Sequence, residues 1–205
     1  MQTILMIIVA YFLGAIPFGL WIGQLFYHKD IRKEGSGNIG TTNSFRVLGF
    51  KAGVTVLVLD ILKGTLAASQ PYLLHSSVNP LLIGLFASLG HTVSIFDHFH
   101  GGKAVATSAG ILLAYNPPLF GVAAGIFVAT LLLTSMASMA SMIGITAIFV
   151  IALCIHDWIL ATVAGILSLV VIYRHKANIG RIIRGQESMV NFGLGHYLRE
   201  RRAQK

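Results

Sequence analysis

Residues 104–156 read AVATSAGILLAYNPPLFGVAAGIFVATLLLTSMASMASMIGITAIFVIALCIH and contain no Asp, Glu, Lys or Arg. A run of that length without a charge is foreign to a water-soluble fold, where about a quarter of residues are charged. Asn116-Pro117-Pro118 interrupts it, because proline stops a helix and restricts the residue before it. The serine-rich residues 135–141 interrupt it again, more weakly. Three helical stretches therefore follow one another here, the first short and the next two nearer bilayer length.

The rest of the chain agrees. Its 205 residues are 55% hydrophobic and 11% charged, with a mean hydropathy of +0.77. The expected class is an all-α integral membrane protein forming a single domain over residues 1–205, with residues 190–205 as a basic tail. Seven stretches qualify as spans: 3–27, 49–73, 79–97, 103–115, 117–136, 140–155 and 158–173. The fourth is short enough to cross only part of the bilayer, and the fifth and sixth could merge. Residues 2–27 lack a basic start and exceed a signal-peptide core, so they read as an uncleaved span. Cys154 has no partner for an internal disulfide and reads as a small buried hydrophobe.

Seven spans sort the loops by charge. Lys29, Arg32, Lys33, Arg46, Lys103 and the eight basic residues from Arg174 onward fall on one side. That side is cytoplasmic by the positive-inside rule, which leaves the N-terminus outside and the C-terminus inside. The net charge of +8 thus reports membrane orientation and does not call for a nucleic acid.

Polar groups near a bilayer are costly and mark function. Residues 35–43 (GSGNIGTTN) formally fit G-x-G-x-x-G, but KDIRKE precedes them where a dinucleotide fold needs a buried strand. What remains is an anion nest. Gly35, Gly37 and Gly40 free backbone N–H groups to turn toward one point. Ser36, Asn38 and Asn43 add neutral donors, and Arg46 adds a fork suited to phosphate. A polar loop built only for turns would look similar.

Asp60 and Lys63 share a helical face inside an apolar run, either neutralising each other or facing a polar cavity. Gly101-Gly102-Lys103 opens a helix, whose N-terminus favours anions, and Thr107 lies one turn on. His91 ends the span before it, as a base or as an orienting group. His98 and His100 have no acidic or cysteine partners at metal spacing, so no metal is expected. After the last span, His175, Asn178 and Arg181 recur at helical spacing, with Glu187 beyond.

Together, GSGNIGTTNSFRVLG, DILKG, GHTVSIFDHFHGGKAVATSAG and RHKANIGRIIRGQE resemble the bacterial acyl-phosphate:glycerol-3-phosphate acyltransferase family over nearly the whole chain. That resemblance implies acyl transfer from acyl phosphate to the sn-1 hydroxyl of glycerol 3-phosphate. The products would be lysophosphatidic acid and inorganic phosphate, the first acylation of phospholipid synthesis. No cofactor is implied; the partners are both substrates, the bilayer, and an upstream enzyme that forms acyl phosphate. The location implied is the bacterial cytoplasmic membrane, with the site on its cytoplasmic face. His91 and Asp97 stand at His-x5-Asp, one residue off the His-x4-Asp dyad of other glycerolipid acyltransferases, a dyad this family lacks.

The resemblance places Ser36, Lys103, His175 and Asn178 in catalysis. It places Gly35, Gly37, Asn38, Gly40, Asn43, Arg46, Asp60, Lys63, His91, Gly101, Gly102, Thr107, Ser138, Arg181 and Glu187 in one joint site around the substrates. Ser36, Arg46 and Lys103 are assigned to glycerol 3-phosphate or a shared phosphate. The loop amides, Lys63, His175 and Asn178 are assigned to acyl phosphate. Two departures stand out: GGKAV replaces the commoner GGKGV, and the serines around Ser138 have no basic neighbour. The competing class is a transporter of a phosphate-bearing solute, which should carry matching ions in both halves. Residues 104–156 hold none.

Overall fold

A computed structural model describes residues 1–203, and every regular element among them is helical. The chain divides into two compact units at Pro117/Pro118. The first holds α1 (Gln2–Ala15), α2 (Phe18–Tyr27), α3 (Thr41–Leu48), α4 (Phe50–Leu73), α5 (Pro80–Thr92) and α6 (Val105–Tyr115), with a 3-10 turn at Ile95–Asp97. The second holds nearly all of α7 (Pro117–Thr134), then α8 (Ala137–Cys154), α9 (Trp158–Arg174), α10 (Lys176–Ile183) and α11 (Leu194–Ala203).

Each of the seven expected spans is helical, but seven crossings do not follow from their lengths. Three helices, α4, α7 and α8, are long and apolar enough to cross a membrane. The count rises to five if α1–α2 and α9–α10 each make one bent span. Helix α5 has 13 residues, about 20 Å at 1.5 Å per residue, short of a hydrocarbon core about 30 Å thick. Helix α6, with 11 residues, is shorter still.

The first expected span is broken. Pro17 lacks an N–H and forces Ile16 out of the helical region, to ψ 116°. The result is a 42° bend between α1 and α2. A 60° bend at His175 separates α9 from α10. The fifth and sixth spans do not merge, since Ser135 adopts a left-handed φ of 58° between them. Cys154 is exposed at the end of α8, contrary to the buried reading. Its run is apolar on every side, so the sequence alone did not tell which face turns inward.

Small residues set the packing of the first unit. A Cβ on Gly14 would strike the Ala87 carbonyl, and one on Gly90 the Tyr11 carbonyl, so α1 and α5 meet backbone to backbone. Gly64 and Gly110 do the same for α4 and α6, against the Thr107 and Ile61 carbonyls. Close approach through small residues is how helices associate where lipid removes the hydrophobic drive. Met6, Ala10, Ala67, Ile83 and Ala87 form one buried core, and Leu20, Ile31, Ile39, Leu48 and Ala52 another beneath the glycine-rich loop.

Candidate active site

The residues singled out by sequence fall into two clusters, one within each unit. In the first unit the glycine-rich loop is organised by Asn43. Its buried amide donates to the carbonyls of Ile31 (2.8 Å) and Glu34 (3.1 Å), and its Oδ1 accepts from the Ser36 N–H (2.8 Å). Gly35 takes φ 63°, and a Cβ there would land on Asn43 Oδ1. Gly37, at φ 70°, completes the turn. Asn38 Oδ1 accepts from the Gly40 N–H (2.9 Å), just before α3 starts. Asn43 and Asn38 therefore shape the loop, while Ser36 and Arg46 stay exposed.

A second loop is tied to this one. Arg32 Nη1 donates to Asp97 Oδ1 (2.6 Å), and the same guanidinium grips Asp30 through Nε (2.9 Å) and Nη2 (2.8 Å). The Arg32 bonds hold the Asp30 carboxyl at about 2. Sequence reasoning missed Arg32 and Asp97 as partners, since no spacing rule joins residues so far apart. Ser94 fixes the other end, donating to the Ala15 carbonyl (2.5 Å) and accepting from Phe96 N–H (3.2 Å).

The Gly101-Gly102-Lys103 turn folds back on His91. Gly102 N–H donates to the His91 carbonyl (3.0 Å), and a Cβ on Gly102 would overlap His91 Nε2. Gly101 lies against the same carbonyl. Lys103 is half-buried ahead of α6, where Ala104 caps the helix in a left-handed conformation. Thr107 is fully buried, with no hydrogen-bond partner for its hydroxyl.

Asp60 and Lys63 are both buried in α4. Lys63 Nζ sits 2.7 Å from Asp60 Oδ1 and donates to the Ile16 carbonyl (2.9 Å), at the break between α1 and α2. His91 Nδ1 lies 3.9 Å from the same Asp60 oxygen. The ammonium thus stabilises a carbonyl at the helix break and compensates a buried carboxylate. His91 approaches Asp60, and Asp97 is bound to Arg32 instead.

In the second unit Glu187 is the hub. Its Oε1 accepts from Asn178 Nδ2 (2.6 Å) and Ser138 Oγ (2.8 Å), and its Oε2 from Arg181 Nε (2.8 Å). Burial pushes the Glu187 carboxyl up, but the bonds from Asn178, Ser138 and Arg181 outweigh it and leave the group below its ordinary value. Ser138, whose role the sequence left weakest, is one of its three supports. His175 lies buried at the α9–α10 bend, with Nδ1 2.8 Å from the Val171 carbonyl. A carbonyl only accepts, so Nδ1 carries the hydrogen, and Nε2 is the basic nitrogen of the neutral ring.

Sequence reasoning also missed Ser135. It is fully buried, its carbonyl accepts from Val190 N–H (2.8 Å) and its hydroxyl from His196 N–H (2.8 Å). The stretch given no role beyond a basic tail is thereby tied to the α7–α8 turn; its residues 204–205 lie outside the described residues.

The family described as glycerol-3-phosphate acyltransferase matches residues 4–185. A glycerol-3-phosphate acyltransferase of Limosilactobacillus reuteri is 74% identical, over 100% of this chain and 99% of its own length. Others so named, from Levilactobacillus brevis and Enterococcus faecalis, are 56% and 52% identical over 98% and 95% of this chain, and 99% and 94% of their own. Among solved structures, PlsY (YgiH), an integral membrane glycerol 3-phosphate acyltransferase, matches in its glycerol 3-phosphate form. The TM-score is 0.88 at 33% identity, over 93% of this chain and 96% of that one. Its lysophosphatidic acid form matches with a TM-score of 0.84 at 31% identity, over 92% and 95%.

Proposed function

Because the chain belongs to the glycerol-3-phosphate acyltransferase family and is a membrane enzyme of that activity, we propose that its donor is an acyl phosphate and its acceptor the sn-1 hydroxyl of glycerol 3-phosphate. The family match decides for the enzyme over a transporter. The hydroxyl oxygen attacks the acyl carbon, and the carbon–oxygen bond to phosphate breaks. The electron pair leaves with the phosphate, which also takes the hydroxyl proton. Lysophosphatidic acid and inorganic phosphate result.

One observation carries the donor assignment. The carboxylate that would complete a histidine–aspartate base, Asp97, is engaged by Arg32 at 2.6 Å. A mixed anhydride has a good leaving group, so positioning and charge stabilisation can carry the reaction without a strong base. Ser36, Arg46 and Lys103 bind phosphate in this reading, beside the amides of Gly35, Gly37 and Gly40. His175 and Asn178 stabilise developing charge, with Ser138, Arg181 and Glu187 fixing Asn178. Thr107, Gly101 and Gly102 shape the turn around Lys103. Lys63, Asp60 and His91 hold the frame from inside rather than touching phosphate.

We place the enzyme in a bacterial cytoplasmic membrane with seven membrane segments, two of them short. The N-terminus is outside and the catalytic loops are cytoplasmic, as the basic residues require. An upstream enzyme that forms acyl phosphate supplies the donor.

Acyl phosphate labelled with 18O at the bridging oxygen tests the bond that breaks. The label is expected in the released phosphate, with the ester at the sn-1 oxygen by NMR. Label retained in a free fatty acid would mean attack at phosphorus and overturn the mechanism.

A further inference from the structure

Helix α11 has two faces with opposite surroundings. One face is docked within its own unit. A Cβ on Gly195 would strike the Thr134 carbonyl, and Arg199, one turn on, donates to the Glu187 carbonyl (3.2 Å). The His196 N–H bond to Ser135 and the Val190 N–H bond just before the helix complete the attachment. Gly193 allows it through φ 92°, where a Cβ would strike the Leu132 carbonyl and the Ser135 hydroxyl. All of these partners but Glu187 lie where α7 turns into α8, two helices long and apolar enough to span. A turn between two spans sits at a membrane face, so α11 is pinned at that face.

The opposite face is exposed and apolar. Leu194, Tyr197 and Leu198, at i, i+3 and i+4, are 49%, 56% and 46% exposed. Phe192 before them is 48% exposed. Arg201 continues the stripe at i+7, exposed. Residues 191–205 carry four Lys or Arg against a single Glu, and Glu200 is paired with His196 (3.3 Å). Apolar side chains continued by Arg201, on a helix attached to the turn between two spans, fit a negatively charged lipid surface: the rings and leucines enter the headgroup layer and the Arg201 guanidinium meets phosphate.

We propose that α11 is an interfacial helix whose exposed stripe binds the headgroup layer of anionic bilayer lipids. This segment lies beyond the residues that match the family, and the proposal does not depend on which acyl donor is used.

The test uses the full chain in vesicles. Tyr197→Cys in a Cys154→Ala background carries a nitroxide label, and acyltransfer activity reports that the protein is folded. Vesicles of phosphatidylcholine are compared with vesicles that also contain phosphatidylglycerol. In the anionic vesicles the label should become shielded from a water-soluble relaxation agent and accessible to oxygen. Arg201→Glu with Arg202→Glu should reverse this, weakening attachment by at least about fivefold per arginine, as should high salt. A label equally open to water in both vesicles would overturn the proposal. So would shielding that is equal in both and indifferent to charge reversal, which would mean plain apolar immersion or contact with protein.

Discussion

Arg32 Nη1 lies 2.6 Å from Asp97 Oδ1, joining two loops whose residues are 65 apart in sequence. Asp97 is 3% exposed and Arg32 38%. The buried partner has little water to turn to if the bond is lost, whereas the exposed one does. Asp97→Asn is therefore expected to loosen the loop before Lys103 more than it unfolds the protein. KM for glycerol 3-phosphate should rise about tenfold, and stability should fall by about 1 kcal/mol, since the released Arg32 guanidinium is exposed enough to regain water. Steady-state kinetics and thermal unfolding in detergent read the two effects separately.

Gly102 lacks room for even a methyl group, because its Cβ would fall on His91 Nε2. Gly102→Ala should displace either the ring or the turn, costing about 1–3 kcal/mol as overpacking does, with a matching loss of activity. Adding His91→Ala should recover part of that activity. No recovery in the double variant would mean that His91 acts on the substrate itself.

The Asp60–Lys63 pair is buried on both sides. Lys63→Met leaves an uncompensated carboxylate and is expected to destabilise by about 3–5 kcal/mol. Asp60→Asn together with Lys63→Met should restore most of the stability and keep activity within about tenfold of the parent. A stable but inactive double variant would show that Lys63 contacts a substrate phosphate.

Glu187 sits below its ordinary value of 4.5 in the folded protein. Near that value the unfolded chain binds the proton more readily. The stabilisation is therefore fully present above about pH 4.5 and is lost as pH falls through the lower, folded value. Thermal unfolding against pH should show wild type losing stability in that window, and Glu187→Gln losing less of it. Parallel curves would remove Glu187 from the acid response.

Much of the fold is legible in the sequence because apolar runs end at polar or proline punctuation. The stretch 49–73 matches α4 to within one residue, and Asn116-Pro117 marks the α6–α7 junction. The break at Pro17 is not legible, since hydrophobic residues continue across it and hydropathy carries no angle. Helix α3 was hidden in a loop whose polar composition suited either state, and α11 in a tail read only for charge. In the candidate site the residue types were readable and their partners were not. Asn43, Asn38 and Ser138 read as polar donors near phosphate, and the hydrogen bonds they make within the fold, to Ile31, Glu34, Ser36, Gly40 and Glu187, follow from no spacing rule. Donor chemistry is visible in a side chain; what accepts the hydrogen bond depends on tertiary neighbours.

Which acyl carrier the enzyme uses is decided by a donor assay. Purified enzyme in lipid is given glycerol 3-phosphate with either palmitoyl phosphate or palmitoyl-CoA, and lysophosphatidic acid is measured beside released phosphate. Equal amounts of both products are expected from palmitoyl phosphate and none from palmitoyl-CoA, with turnover lost in Lys103→Ala. Product from palmitoyl-CoA at a comparable rate, or turnover undiminished in Lys103→Ala, would contradict the proposed function.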